Sequence, residues 1–130
     1  MTDYAAIAER LGRDMSHFEA SHPNAMTSFA DLMTATAGSD GALSVKTKEL
    51  IAFAIGIAVR CDGCIAHHAK AVARAGASHD EVAETIGVAI MMGGGPSVVY
   101  GTQALRAFEQ FSSERDEYES VDDALADELG

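Results

Sequence analysis

The chain has 130 residues, 48% of them hydrophobic, with twenty acidic against nine basic side chains and a formal charge of −11. That length accommodates one domain with a modest core, and the acidity argues against a nucleic-acid surface, where Lys and Arg must displace counterions. The longest apolar run, residues 50–59, ends at Arg60, well short of the roughly 18 residues that cross a bilayer.

Tyr4, Ile7, Leu11, Met15 and Phe18 recur every three or four positions, the stripe of an amphipathic helix that ends near His22-Pro23. This start lacks the basic residues and continuous apolar stretch of an export signal, so a cytoplasmic protein is expected. Met26, Phe29, Leu32, Met33 and Thr36 predict a second helix up to Gly38, followed by a Ser39-Asp40-Gly41 turn. Ser44 is an N-terminal cap signal for a third helix over about 45–59, whose second half is apolar on every side and therefore central. It carries Glu49.

A fourth helix should begin around Cys61-Asp62-Gly63 and stop at Gly76. Ser78 and Glu81 form a capping box that opens a fifth helix through Val82, Ile86, Ala89 and Ile90 to the glycines 93–95. Pro96 suits the first turn of a sixth, whose Val99, Leu105 and Phe108 lead to Phe111. With no alternating segment and no hairpin signal, the expected fold is all-α, about six helices in one domain over 1–111. Residues 112–130 differ in kind. They hold eight acidic groups and one basic, Arg115, a net of −7. Such a composition reads as a flexible acidic tail; if it orders, Val121, Leu125 and Leu129 would line one side of a short helix, and it would dock a basic partner.

The chemistry concentrates in Cys61-Asp62-Gly63-Cys64-Ile65-Ala66-His67-His68. On a helix turning 100° per residue, Cys61, Cys64 and His68 fall within about 60° of one another, whereas His67 projects about 100° from His68. Thiols react as thiolates, and a helix N-terminus, Arg60 next door and His68 one turn beyond Cys64 all favour the charged sulfur. A carboxylate on the other imidazole nitrogen would fix the tautomer, and Glu49 is the candidate. Glu49 could instead pair with Lys46 or Lys48, and the cysteines could be inert packing. His67 and His79 read as surface residues.

Zinc is the main rival, since Cys61, Cys64 and His68 could supply three ligands, but a closed structural site needs a fourth that this sequence does not space correctly. Ile65 after the second cysteine excludes c-type haem attachment, and the glycines 93–95 lack the strand and Lys of a phosphate loop. No metal and no cofactor are expected.

Glu49, the Cys61-x-x-Cys64 pair, His68, and Met91-Met92-Gly93-Gly94-Gly95-Pro96 together resemble the AhpD-like alkylhydroperoxidases of the carboxymuconolactone decarboxylase family over about residues 25–111. The resemblance implies a helical fold assembled as a homo-oligomer, trimer or hexamer, and a hydroperoxide reductase whose two cysteines cycle between dithiol and disulfide. By matching position, Glu49 and His68 would relay a proton to activate Cys64, Cys61 would resolve the sulfenic acid, and a thiol protein or lipoyl donor would supply electrons. Gly63 stands where fuller members carry a further histidine. The family also contains muconolactone decarboxylases, which do not rely on the cysteine pair; a decarboxylase-like enzyme and a non-enzymatic redox sensor are the alternatives.

Overall fold

The computed structural model describes residues 2–129. Met1 and Gly130, the ends of the two expected segments, lie outside them. Six helices form the domain: α1 (Tyr4–Ser21), α2 (Pro23–Ala37), α3 (Val45–Ala58), α4 (Asp62–Arg74), α5 (His79–Gly93) and α6 (Gly95–Leu129). No strand occurs among the described residues, and no helix there is long and apolar enough to cross a membrane. The expected all-α fold and helix order are therefore observed.

Local chemistry sets the helix starts. Asp3 caps α1 by accepting from Ala6 N, Ser44 caps α3 through Thr47 N, and Ser78 with Glu81 completes both bonds of the expected capping box. The Ser78 N–H, with Lys46 at 2.9 Å, holds the Glu81 carboxyl below its ordinary value. The other lysine of that region, Lys48, donates to Ser39 O at 2.9 Å.

α4 lies at the centre, packed against α1, α3 and α6. Its Ile65 and Val72 are fully buried with Phe53 and Ile57 of α3, Val82 of α5 and Phe108 of α6. At two points a glycine lies where a neighbouring helix approaches closely. A Cβ on Gly56 would sit 3.2 Å from Cys64 Cβ, and one on Gly101 would sit 2.8 Å from Ile86 Cγ2. By contrast α2 buries none of its residues, and Phe29 and Leu32 are half-exposed.

The sixth helix was expected to end near Phe111, but it continues without a break to Leu129. No glycine or proline interrupts residues 112–129. Arg115 pins the continuation by donating from Nη1 to Ala73 O at 2.7 Å, which also satisfies a carbonyl at the end of α4. Val121 and Leu125 of the anticipated stripe are exposed; the Leu129 side chain lies outside the described residues.

The chain reverses between α3 and α4 in two residues. Arg60 N–H bonds Ile57 O at 3.1 Å and Cys61 N–H bonds Gly56 O at 3.0 Å, the paired bonds of a Schellman stop, with Arg60 at φ +60 in the position glycine usually takes. An L-residue there costs about 1–2 kcal/mol. Arg60→Gly should therefore keep or modestly raise the stability of the oxidised protein, whereas a β-branched residue is disfavoured further. In urea unfolding, Arg60→Val should lose about 1–2 kcal/mol relative to Arg60→Gly.

Candidate active site

The reversal delivers the chain into α4 with Cys61 as its N-cap. Cys61 has extended backbone, φ −105, and its Sγ accepts from Cys64 N at 3.1 Å. Sequence spacing treats Cys61 as the first residue on the helical face; in the structure it stands just outside the helix and caps it. Both placements set its sulfur at the positive end of the helix dipole. The Cα atoms of Cys61 and Cys64 are 5.1 Å apart and their sulfurs are bonded to each other.

One turn beyond Cys64, His68 meets Glu49 of α3, with His68 Nδ1 2.7 Å from Glu49 Oε2 and both side chains largely buried. An ionised carboxylate can only accept, so Nδ1–H is the donor of this contact and Nε2 is the ring nitrogen left for other partners. The alternative of Glu49 pairing with a lysine does not occur: Lys46 goes to Glu81 and Lys48 to Ser39.

Glu49, Cys61, Cys64 and His68 all line one cavity of about 550 Å³ between α1, α2 and the α3–α4 pair. Its other walls are mostly apolar, with Leu11 and Met15 from α1 and Phe29 and Met33 from α2. All four belong to the apolar stripes of the first two helices; their place on the cavity follows from how α1 and α2 lie against the α3–α4 pair, which spacing within one helix does not encode. Gly63, between the cysteines, faces Leu11, whose Cδ2 would lie 3.5 Å from an added Cβ. Among the described residues no group of three or more His, Cys, Asp or Glu side chains is placed to hold a metal ion.

Two further residues bear on the site. Asp62, also between the cysteines, is held by Tyr4, whose buried hydroxyl donates to Gln103 Oε1 at 2.9 Å and lies 3.2 Å from Asp62 Oδ1. Burial, and then the Asp62 charge, keep that hydroxyl well above the ordinary tyrosine range, so it remains a donor. His67 is exposed as expected, yet it does not leave the site: it lines the same cavity and meets the His68 ring edge-on, with centroids 4.8 Å apart. Desolvation at the cavity rim, followed by His68, lowers its pKa from 6.5.

The family model for the carboxymuconolactone decarboxylase family matches residues 23–107, and the chain belongs to that family. An uncharacterized protein of Cupriavidus necator is 33% identical over 112 residues, covering 86% of this chain and 98% of that protein. Uncharacterized protein 4 in the cox locus of Paracoccus denitrificans is 36% identical over 72 residues, covering 55% of this chain and 65% of its own length. Among solved structures, the apo form of a carboxymuconolactone decarboxylase family protein from Legionella pneumophila superposes with a TM-score of 0.81 at 42% identity, over 84% of this chain and 96% of that one. The fold and the cysteine pair thus fit an enzyme family.

The Glu49–His68 contact is directly testable. In Glu49→Gln the amide oxygen can still accept from Nδ1–H, so the fold should persist while the negative charge is lost. Alkylation of the reduced cysteines by iodoacetamide at pH 7 should slow by about tenfold, the effect of losing one close charge; a purely structural Glu49 predicts an unchanged rate.

His67 yields a pH prediction. The unfolded imidazole takes its proton near 6.5 and the folded one only at lower pH, so between those values the unfolded chain binds more protons and stability falls as pH drops below 6.5. Histidine NMR titration should place His67 below that value, and His67→Asn should flatten this part of the acid limb in thermal melts.

Proposed function

We propose that the protein is a thiol-dependent hydroperoxide reductase. The observation that carries this reading is the convergence of a bonded cysteine pair and a histidine–carboxylate pair on one mostly apolar cavity. In the reduced protein, His68 Nε2 takes the Cys64 proton while Glu49 stabilises the resulting imidazolium. The Cys64 thiolate attacks the terminal peroxide oxygen, so an S–O bond forms, the O–O bond breaks, and the alcohol leaves with the proton returned by His68. Cys61 then attacks the sulfenic acid, the S–S bond forms and water leaves. A dithiol, either a thiol protein or a lipoyl group, takes up the oxidising equivalents and restores two thiols; a cytoplasmic setting would supply it.

The mostly apolar walls offer the reacting sulfur few competing polar partners, so Glu49 and His68 are the charged groups that act on it. Gly63 offers no imidazole between the cysteines, so proton transfer in this reading depends on His68. Ile51 and Ile55 of α3, with Val59 at its C-terminal cap, follow one another at four-residue spacing and are about half-exposed, and Met91 and Met92 at the end of α5 are about three-quarters exposed. Patches of this kind support a homo-oligomer, a trimer or hexamer by analogy with the family.

Peroxide consumption with a dithiol donor tests the proposal. Wild type should turn over, Cys64→Ser should lose activity, and His68→Ala should fall by about a hundredfold or more in kcat/KM. Cys61→Ser should form the sulfenic acid and then over-oxidise, visible as added oxygen by mass spectrometry. A reversible disulfide without peroxide turnover would favour the sensor; release of CO2 from a muconolactone, unchanged when both cysteines are replaced by serine, would favour decarboxylase-like chemistry.

A further inference from the structure

The cavity does not end at the cysteines. A second groove, of about 480 Å³ between α1, the start of α3 and the outer face of α4, shares Leu11, Met15, Glu49 and His67 with it, so the two are continuous. The shared walls are apolar on the α1 side. Further along, the groove is bordered by Lys70 and Arg74, one and two turns beyond His67 on the same face of α4.

These two cations stand out in a chain of charge −11. Neither makes an ion pair or hydrogen bond with another described residue. The groove's lone carboxylate is Glu49, which His68 already engages. On the other side, Glu114 and Glu119 of α6 border a separate groove that Lys70 and Arg74 also touch.

We propose that Lys70 and Arg74 form a carboxylate subsite, and that the preferred substrate of this site is a fatty-acid hydroperoxide with its hydrocarbon body along Leu11 and Met15 and its peroxide at Cys64. This rests on the peroxidase reading above. At 1.5 Å per helical residue, the backbones of Lys70 and Arg74 lie about 9 and 15 Å from that of Cys64 along α4, a span that a long-chain substrate reaches and a short one does not. The two cations act on binding and orientation; they do not touch the reacting atoms.

The experiment compares wild type with Lys70→Gln/Arg74→Gln, using linoleic acid hydroperoxide, its methyl ester and tert-butyl hydroperoxide. Separately, binding of decanoate and decanol is measured by calorimetry, which needs no turnover. The double variant should lose about tenfold in kcat/KM for the acid, chiefly through KM, as expected for lost charge-assisted contacts, with the ester and tert-butyl hydroperoxide unchanged. Decanoate should bind wild type more tightly than decanol does, and the variant should abolish that difference. Equal decanoate binding by both proteins, or an equal loss on acid and ester, overturns the subsite. If wild type reduces no peroxide while decanoate binding still depends on Lys70 and Arg74, the peroxidase reading fails and the carboxylate subsite stands.

Discussion

The site depends on the abruptness of the turn between α3 and α4. Two residues, Val59 and Arg60, separate the last helical carbonyls of α3 from the cysteine that caps α4. The two helices therefore run antiparallel in close contact, with Gly56 against Cys64. Glu49, on α3, and His68, on α4, consequently stand opposite one another at hydrogen-bonding distance. A longer connection would leave the imidazole without its carboxylate, and a bulkier residue at Gly56 would press on Cys64. The strained backbone at Arg60 belongs to the same arrangement, since a right-handed residue there would carry α3 onward and leave α4 without its cap.

Most of this arrangement was legible in the sequence because it is local. Capping serines, the Gly76 stop and the apolar stripes mark the helices by chemistry within a few residues, and the spacing of Cys61, Cys64 and His68 places them together within one turn or two. Glu49 could be named but not assigned, because its choice between lysine and histidine depends on two helices meeting. Three features escaped. His67 points away from His68 on a helical projection, yet the cavity is wide enough to reach it. Tyr4 reads as one more apolar stripe residue, and only its separation in space from Asp62 and Gln103, not in sequence, makes it a link to the cysteine loop. The end of α6 was misjudged because acidic composition suggests solvation, whereas Arg115 reaches back to α4 and the segment contains no helix breaker.

The family match begins at residue 23, after α1. Yet α1 supplies Leu11 and Met15 to the cavity, faces Gly63 and anchors Asp62 through Tyr4. The matched region thus carries the reactive sulfurs and their base, and the preceding helix shapes what reaches them. That division resembles the general separation of a rigid chemical centre from the elements that tune access to it.

Beyond Arg115 the α6 side chains are all exposed as far as they are described; Tyr118 and Glu119 still border a groove with Lys70 and Arg74 of α4, so about 15 Å of helix projects past the last turn that lies beside the domain. Acidic groups crowd that stretch, close to the negative end of the helix dipole, and repel one another at three- and four-residue spacings. Dissolved ions weaken this repulsion over a Debye length of about 8–10 Å near physiological strength. Added salt therefore steadies the helix in that stretch, while the part of α6 packed on α4 is indifferent to it.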